Sequence, residues 1–164
     1  MPEVFVAAGS NVTPRANLGR ALHLMREAWP DLRVSPAYAN VAFGFEGEDF
    51  INLVAGFSTD EPLAVVLGRL HAIEAACGRP REAPKWAPRT MDLDVLLYGD
   101  TVGEFPGATL PRPDLLKRAY MLGPLADIAP DLVHPTVGRS IAELWADFDA
   151  DGHALTPVVL DEGN

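Results

Sequence analysis

The sequence is poor in cysteine, in basic residues and in long apolar segments, and each scarcity narrows what the chain can be. Its one cysteine, Cys77, excludes an internal disulfide, and its place after an apolar helical segment predicts a core residue. Thirteen lysines and arginines stand against 23 aspartates and glutamates, and the net charge of −10 disfavours nucleic acid and anionic membranes as partners. No segment approaches the roughly 18 apolar residues of a membrane span, and no basic leader precedes the first apolar segment. We therefore expect a soluble, cytoplasmic protein.

The length of the chain limits the number of domains. A chain of 164 residues with 48% apolar residues can bury one core but is short for two. It contains no internal repeat, low-complexity tract or linker. We expect residues 1–164 to form a single domain that is a monomer or a weak homodimer.

The spacing of apolar residues predicts an alternation of strands and helices. The first helix should begin with Thr13 as its cap and Pro14 at its first position, and Pro62 should open the second. The predicted strands are residues 4–8, 32–39, 50–57 and 95–98, and shorter helices follow at 121–128 and 140–148. Two strand–helix–strand halves indicate an α+β fold, a ferredoxin-like α/β sandwich with a mainly antiparallel sheet and helices packed on it.

Two aspartates, Asp92 and Asp94, lead directly into the apolar strand at 95–98. Alternate residues of an extended chain share a face, so both carboxylates should point the same way, roughly 7 Å apart at their α-carbons. Such a pair can hold metal ions, because a cation offsets the repulsion between two like charges. Two solvated acids at a strand edge are an equally good interpretation of the pair taken alone.

A basic, proline-containing segment precedes the two aspartates. It carries four of the chain's thirteen basic residues: Arg79, Arg81, Lys85 and Arg89. The segment is either a solvated loop that balances nearby acids or a clamp for a polyphosphate, since guanidinium groups pair with phosphate oxygens. Together with the carboxylates it would place cations on both sides of one anionic group, which favours phosphoryl transfer.

Residues 85–96, KWAPRTMDLDVL, resemble the characteristic motif of the 6-hydroxymethyl-7,8-dihydropterin pyrophosphokinases. The resemblance extends over nearly the whole chain, from Val4 to about Phe148. Further agreement comes from Gly9-Ser10-Asn11, Asn52, Glu74, Arg118 and Tyr120.

The resemblance implies a reaction and a set of catalytic groups. Members of this family transfer diphosphate from ATP to the hydroxymethyl group of the pterin and release AMP, a step in folate biosynthesis. By resemblance, Asp92 and Asp94 hold two magnesium ions that bridge the ATP phosphates. Arg79 and Arg89 match the catalytic arginines of loops that close over the site, and closure would exclude water from the reaction.

The resemblance also implies two substrate pockets. Phe43, Asn52 and Tyr120 match residues that hold the pterin, and Trp86 matches an aromatic residue that helps to close the lid. For each aromatic residue alone, ordinary core packing is the more common role. The nucleotide site is implied for six residues: His71, Glu74, Arg81, Thr109, Arg112 and Arg118. His71 could equally be a surface histidine. A helical glutamate such as Glu74 is usually part of a solvated face, and composition alone favours a solvated turn for Arg112.

The chain departs from the family pattern at three places. Asn40-Val41 stands where threonine-proline is common, Phe50 replaces a frequent tyrosine, and Arg112 replaces a frequent histidine. Arg112 would supply a permanent cation at its position, because arginine stays charged at neutral pH.

Three other classes of protein stay open at this point. A nucleic-acid module of similar fold would need a basic surface, which the acidic composition argues against. A glycosyltransferase also uses Asp-x-Asp, but it normally needs a longer nucleotide-binding domain. A relative that binds ATP or pterin without reaction is the strongest rival.

Overall fold

The computed structural model describes residues 1–40, 50–78, 91–148 and 155–160. The strands are β1 Glu3–Ser10, β2 Arg33–Val34, β3 Ala37–Asn40, β4 Phe50–Ser58, β5 Asp92–Tyr98, β6 Gly103–Phe105, β7 Ala108–Leu110 and β8 Thr156–Val158. The α-helices are α1 Pro14–Ala28, α2 Leu63–Ala76, α3 Ala119–Ile128 and α4 Ile141–Ala146, and a 3₁₀ helix spans Pro113–Leu116. None of the helices in these parts of the chain has the length and hydropathy of a membrane span.

The main sheet has the strand order β5-β1-β4-β3-β8, and β2 also pairs with β4. All of its ladders are antiparallel. The order confirms the ferredoxin-like α+β prediction. The predicted strand at 32–39 is divided into β2 and β3, because Ser35 uses its hydroxyl and its amide to bond Val54 and Pro36 has no N–H to donate.

Helices cover both faces of the sheet. Val4, Val6 and Ala8 of β1 belong to the core under α1 and α2, whereas Phe5 and Ala7 belong to the core under α3 and α4. This alternation follows from the period of two along a strand that is buried on both faces. The sheet is therefore the middle layer, and its two ends and edges are the places left for a site.

The start of α1 differs from the sequence prediction in one respect. Pro14 occupies the first helical turn, as predicted. Thr13 is the N-cap residue, as predicted, and its carbonyl accepts from the Asn17 N–H at 3.1 Å, but it has a φ of 36° and its side chain accepts no hydrogen bond from the helix backbone, so it does not cap the helix through its hydroxyl. Asn17 instead donates to the Thr13 hydroxyl at 3.1 Å and to the Val12 carbonyl at 2.6 Å, which fixes the turn from inside the helix.

A bulge in β5 determines which face of the sheet carries the two aspartates. The pairing with β1 shifts between Phe5, opposite Leu97, and Val6, opposite Val95, so that Leu96 is an extra residue. The bulge reverses the alternation. Asp92 and Asp94 therefore lie on the same face as Leu97, which is the face that α3 covers.

Candidate active site

A cavity of about 180 Å³ opens at the outer edge of β5. Its walls come from α2, from β5, from the β6–β7 hairpin and from the turn that follows β7. The polar side chains in its lining are His71, Glu74, Asp92, Asp94 and Arg112. The resemblance assigned eight residues to the nucleotide and metal sites, and seven of them lie within the described residues. Five of these seven line this one cavity.

Asp92 and Asp94 share one face of β5, as the sequence predicts. They lie opposite Gly9 and Ala7 of β1, and both are partly buried. Among the described residues no group of three or more histidine, cysteine, aspartate or glutamate side chains could hold a metal ion. Two carboxylates nevertheless fit magnesium, which takes one or two carboxylates and completes its shell with water and substrate phosphate oxygens.

Glu74 is buried, although a glutamate on a helix is usually solvated. It is 9% exposed, and its Oε2 accepts a hydrogen bond of 2.8 Å from the backbone N–H of Leu93, between the two aspartates. β5 is an edge strand at this point, so this N–H has no strand partner on its outer side. Glu74 therefore joins α2 to β5 where the two aspartates project, and a solvated face is the wrong interpretation of this residue.

Arg112 places its guanidinium group beside the aspartate pair. Its Nη1 lies 3.6 Å from Asp94 Oδ1, and its Nη2 lies 3.7 Å from Asp114 Oδ2. Its backbone N–H donates to the Leu96 carbonyl at 3.0 Å, which anchors the residue to β5. Its Nε is buried and has no hydrogen-bond partner among the described residues. Arg112 thus belongs to the cavity and is not simply a solvated turn residue.

Asn52 and Gly9 are cross-strand neighbours on the face that carries Asp92. Asn52 lies opposite Gly9, and Gly9 lies opposite Asp92. Asn52 is 8% exposed, so its amide is buried at the end of the sheet. A Cβ atom on Gly9 would lie only 2.5 Å from Asn52 Oδ1, so the amide occupies the space that glycine leaves. The sequence indicated Gly9 only as part of the family pattern.

Tyr120 approaches the same region from α3. It is partly buried, and burial raises the pKa of its hydroxyl above the usual value. The charges of Arg118, Asp114, Asp94 and Arg112 also act on this pKa, so the Tyr120 hydroxyl lies within electrostatic range of the cavity's charged groups. Arg118 itself is exposed at the N-terminal cap of α3.

The other predicted site residues do not line the cavity or lie outside the described residues. Thr109 is exposed in the middle of β7, next to Ala108, which lines the cavity. Five predicted residues lie outside the described residues: Phe43, Arg79, Arg81, Trp86 and Arg89.

Some residues at the cavity were not predicted from the sequence. The β6–β7 hairpin supplies Gly107 and Ala108 to the wall, and Asp114 shares the guanidinium of Arg112. The dipeptide Pro106-Gly107 between two short segments was a usable signal for the hairpin, since Gly107 adopts a φ of 87°. Nothing in the local sequence indicated the contact of Asp114.

The chain is similar to known proteins over most of its length. Residues 5–130 match the family model described as 7,8-dihydro-6-hydroxymethylpterin-pyrophosphokinase. A Pseudomonas aeruginosa protein named 2-amino-4-hydroxy-6-hydroxymethyldihydropteridine pyrophosphokinase is 40% identical over 159 residues, which cover 94% of this chain and 96% of the relative. An Aquifex aeolicus protein of the same name is 32% identical over 145 residues, covering 87% of this chain and 90% of the relative.

Solved structures show the same fold. A crystal structure of Plasmodium falciparum HPPK-DHPS with pteroate superposes with a TM-score of 0.68 at 13% identity, over 88% of this chain and 44% of that chain. A crystal structure of HPPK-DHPS in complex with substrates gives a TM-score of 0.64 at 13% identity, over 88% and 43%. This chain therefore spans less than half of those proteins, and at this identity the likeness concerns the fold alone.

Proposed function

Because the chain belongs to the 7,8-dihydro-6-hydroxymethylpterin-pyrophosphokinase family, we propose that the cavity beside Asp92 and Asp94 is its catalytic centre. The protein is a pyrophosphokinase of folate biosynthesis, and it transfers a pyrophosphoryl group from ATP to 6-hydroxymethyl-7,8-dihydropterin. Transfer of the two terminal phosphates as one unit leaves AMP as the second product.

Asp92 and Asp94 are the proposed ligands of two magnesium ions. The observation that carries the proposal is that both carboxylates share one face of β5 and line a cavity in which the guanidinium group of Arg112 lies 3.6 Å from Asp94. Magnesium would neutralise charge on the phosphates as they are transferred. The chain's own contribution is to hold the two carboxylates in place, and the hydrogen bond from Leu93 to Glu74 fixes the strand between them.

Cationic side chains would orient the nucleotide. Arg112 lines the cavity and Arg118 stands at the start of α3, and their guanidinium groups are proposed to pair with phosphate oxygens. Arg79, Arg81 and Arg89 are proposed from the sequence to add positive charge over the same phosphates. Positive charge that is arranged in advance acts on the transition state without a cost of reorganisation.

The pterin would lie on the face of the sheet that α3 covers. The amide of Asn52 offers both a donor and an acceptor to a heterocycle's polar edge, and Tyr120 offers a ring that can stack on it. Phe43 and Trp86 are the further aromatic residues proposed from the sequence. His71, Glu74 and Thr109 are proposed for the nucleotide side of the site.

The experiment is a product analysis. Protein, ATP, magnesium and 6-hydroxymethyl-7,8-dihydropterin are mixed, and we expect one AMP and one pterin diphosphate per turnover in chromatography. ADP with a pterin monophosphate would contradict the proposal. Binding of both substrates without AMP would instead identify a relative that binds but does not react.

Substitutions test the metal pair. Asp92→Asn and Asp94→Asn should each abolish turnover and leave the melting temperature nearly unchanged, because each change relieves repulsion between two neighbouring carboxylates. Asp100→Asn is the matched control, since Asp100 is exposed in the turn after β5 and is not part of the cavity lining. Turnover at the wild-type rate in either of the first two variants would remove the metal assignment.

We further propose that residues 1–164 act as one domain in the cytoplasm, as a monomer or a weak homodimer. Support comes from the two cores, which share a single sheet. Size-exclusion chromatography with light scattering over a range of concentrations measures the assembly.

A further inference from the structure

We propose that Arg112 is an internal counter-ion of Asp94, and that it makes binding of a divalent cation dependent on the nucleotide. The inference rests on the proposed function, because it takes Asp94 as a metal ligand. Without nucleotide, the guanidinium group would compete with the cation for the carboxylate. With nucleotide present, the phosphates would attract the guanidinium group and leave Asp94 to the metal.

The distances from Arg112 to Asp94 and Asp114 indicate weak ion pairs, which a metal ion or a phosphate can replace. Nη1 stands 3.6 Å from Asp94 Oδ1 and Nη2 stands 3.7 Å from Asp114 Oδ2, both beyond hydrogen-bond length. The side chains of Arg112 and Asp94 are 33% and 26% exposed, so solvent and ions reach the pair. The guanidinium group is therefore close enough to repel a cation at Asp94 and is not locked there by a two-point hydrogen bond.

The backbone keeps Arg112 at the cavity in both arrangements. Its N–H donates to the Leu96 carbonyl, and proline residues stand on both sides of it at 111 and 113. The side chain can thus turn between Asp94 and a bound phosphate without a movement of the main chain. Nε is buried here and has no partner among the described residues, so a turn of the side chain toward a phosphate would lose no hydrogen bond at Nε and would bring its N–H to the phosphate oxygen.

The expected effect of Arg112 on cation affinity follows from the charges of the two groups and the distance between them. A single positive charge about 6 Å from a divalent cation in a water-like environment weakens its binding on the order of tenfold. The same positive charge next to a nucleotide phosphate strengthens nucleotide binding. Arg112 therefore lowers the affinity for the metal ion when no nucleotide is bound, and it raises the affinity of the protein for the nucleotide.

The test uses Mn²⁺ as a paramagnetic probe, titrated by electron paramagnetic resonance. In the absence of nucleotide, Arg112→Gln should bind Mn²⁺ about tenfold more tightly than the wild type. With a non-hydrolysed ATP analogue, this advantage should disappear and the analogue should bind the variant more weakly. Arg139→Gln is the matched control, because Arg139 also contacts two carboxylates, Glu143 and Asp147, but lies outside the cavity lining.

An Asp94→Asn arm separates failure of this inference from failure of the proposed metal site. If Mn²⁺ binding with nucleotide does not depend on Asp94, the metal assignment is wrong. If it does depend on Asp94, but Arg112→Gln binds Mn²⁺ without nucleotide no more tightly than the wild type, the counter-ion is refuted. Equal gains in Arg112→Gln and Arg139→Gln would also refute it, because the effect would then be one of net charge.

Discussion

Replacing Gly9 with alanine should weaken pterin binding and leave nucleotide binding unchanged. The new Cβ would lie 2.5 Å from Asn52 Oδ1, where ordinary contact begins at 3.4 Å, so the amide of Asn52 must move by about 0.9 Å. Gly9 does not have a positive φ, so the alanine adds no backbone strain. The perturbation is therefore confined to the position of one amide that we propose to contact the pterin.

A displacement of this size is enough to break hydrogen bonds. A bond of about 2.9 Å that lengthens by nearly 1 Å is no longer a hydrogen bond. Loss of one such bond in a buried pocket costs about 1–3 kcal/mol, or roughly ten- to a hundredfold in affinity. Calorimetric titration of the pterin, with magnesium and a non-hydrolysed ATP analogue present, measures the change, and a separate titration of the analogue should agree with the wild type within about twofold.

Two controls make the Gly9 prediction specific. Gly68→Ala adds a methyl group on the exposed face of α2 with no atom within 4 Å, and it should raise stability by about 0.5–1 kcal/mol without changing pterin affinity. In an Asn52→Ala background, Gly9→Ala should have no further effect, because the contact has been removed. Normal pterin affinity in folded Gly9→Ala, or additive effects of the two changes, would refute the reasoning.

Three predictions concern titratable groups. The pKa of Tyr38 is raised to about 12, first by burial and then by the 2.5 Å hydrogen bond to Asp127. Asp127→Asn should therefore lower this pKa in an ultraviolet titration, and an unchanged pKa would contradict the contact. Burial lowers the pKa of His134, so the folded state resists its protonation, and stability should fall as pH drops below about 6.5, by at most about 1.4 kcal/mol per pH unit. His134→Asn should flatten this slope in denaturant titrations, and equal slopes would show that other groups cause it. Burial raises the pKa of the Cys77 thiol, so a thiol reagent at pH 8 should label the native protein far more slowly than the unfolded protein.

The sequence by itself determined the longer strands and helices and the shared face of the two aspartates, but not the short strands β6, β7 and β8. Pro14 and Pro62 stand where α1 and α2 begin, as local preferences predict. Asp92 and Asp94 share a face because residues two apart in any strand do so. The resemblance of residues 85–96 to the family motif pointed to the activity, and the family comparison confirmed it.

The tertiary structure decided what these residues touch. The bulge at Leu96 places the aspartates on the face under α3, and a strict alternation along β5 would have placed them with the opposite core. Glu74 became a buried partner of Leu93, and Arg112 became a neighbour of Asp94, through contacts between elements that are far apart along the chain. Local preferences depend on a few adjacent residues, whereas burial and charge at a site depend on which distant elements pack there, and no periodicity within one segment records that packing.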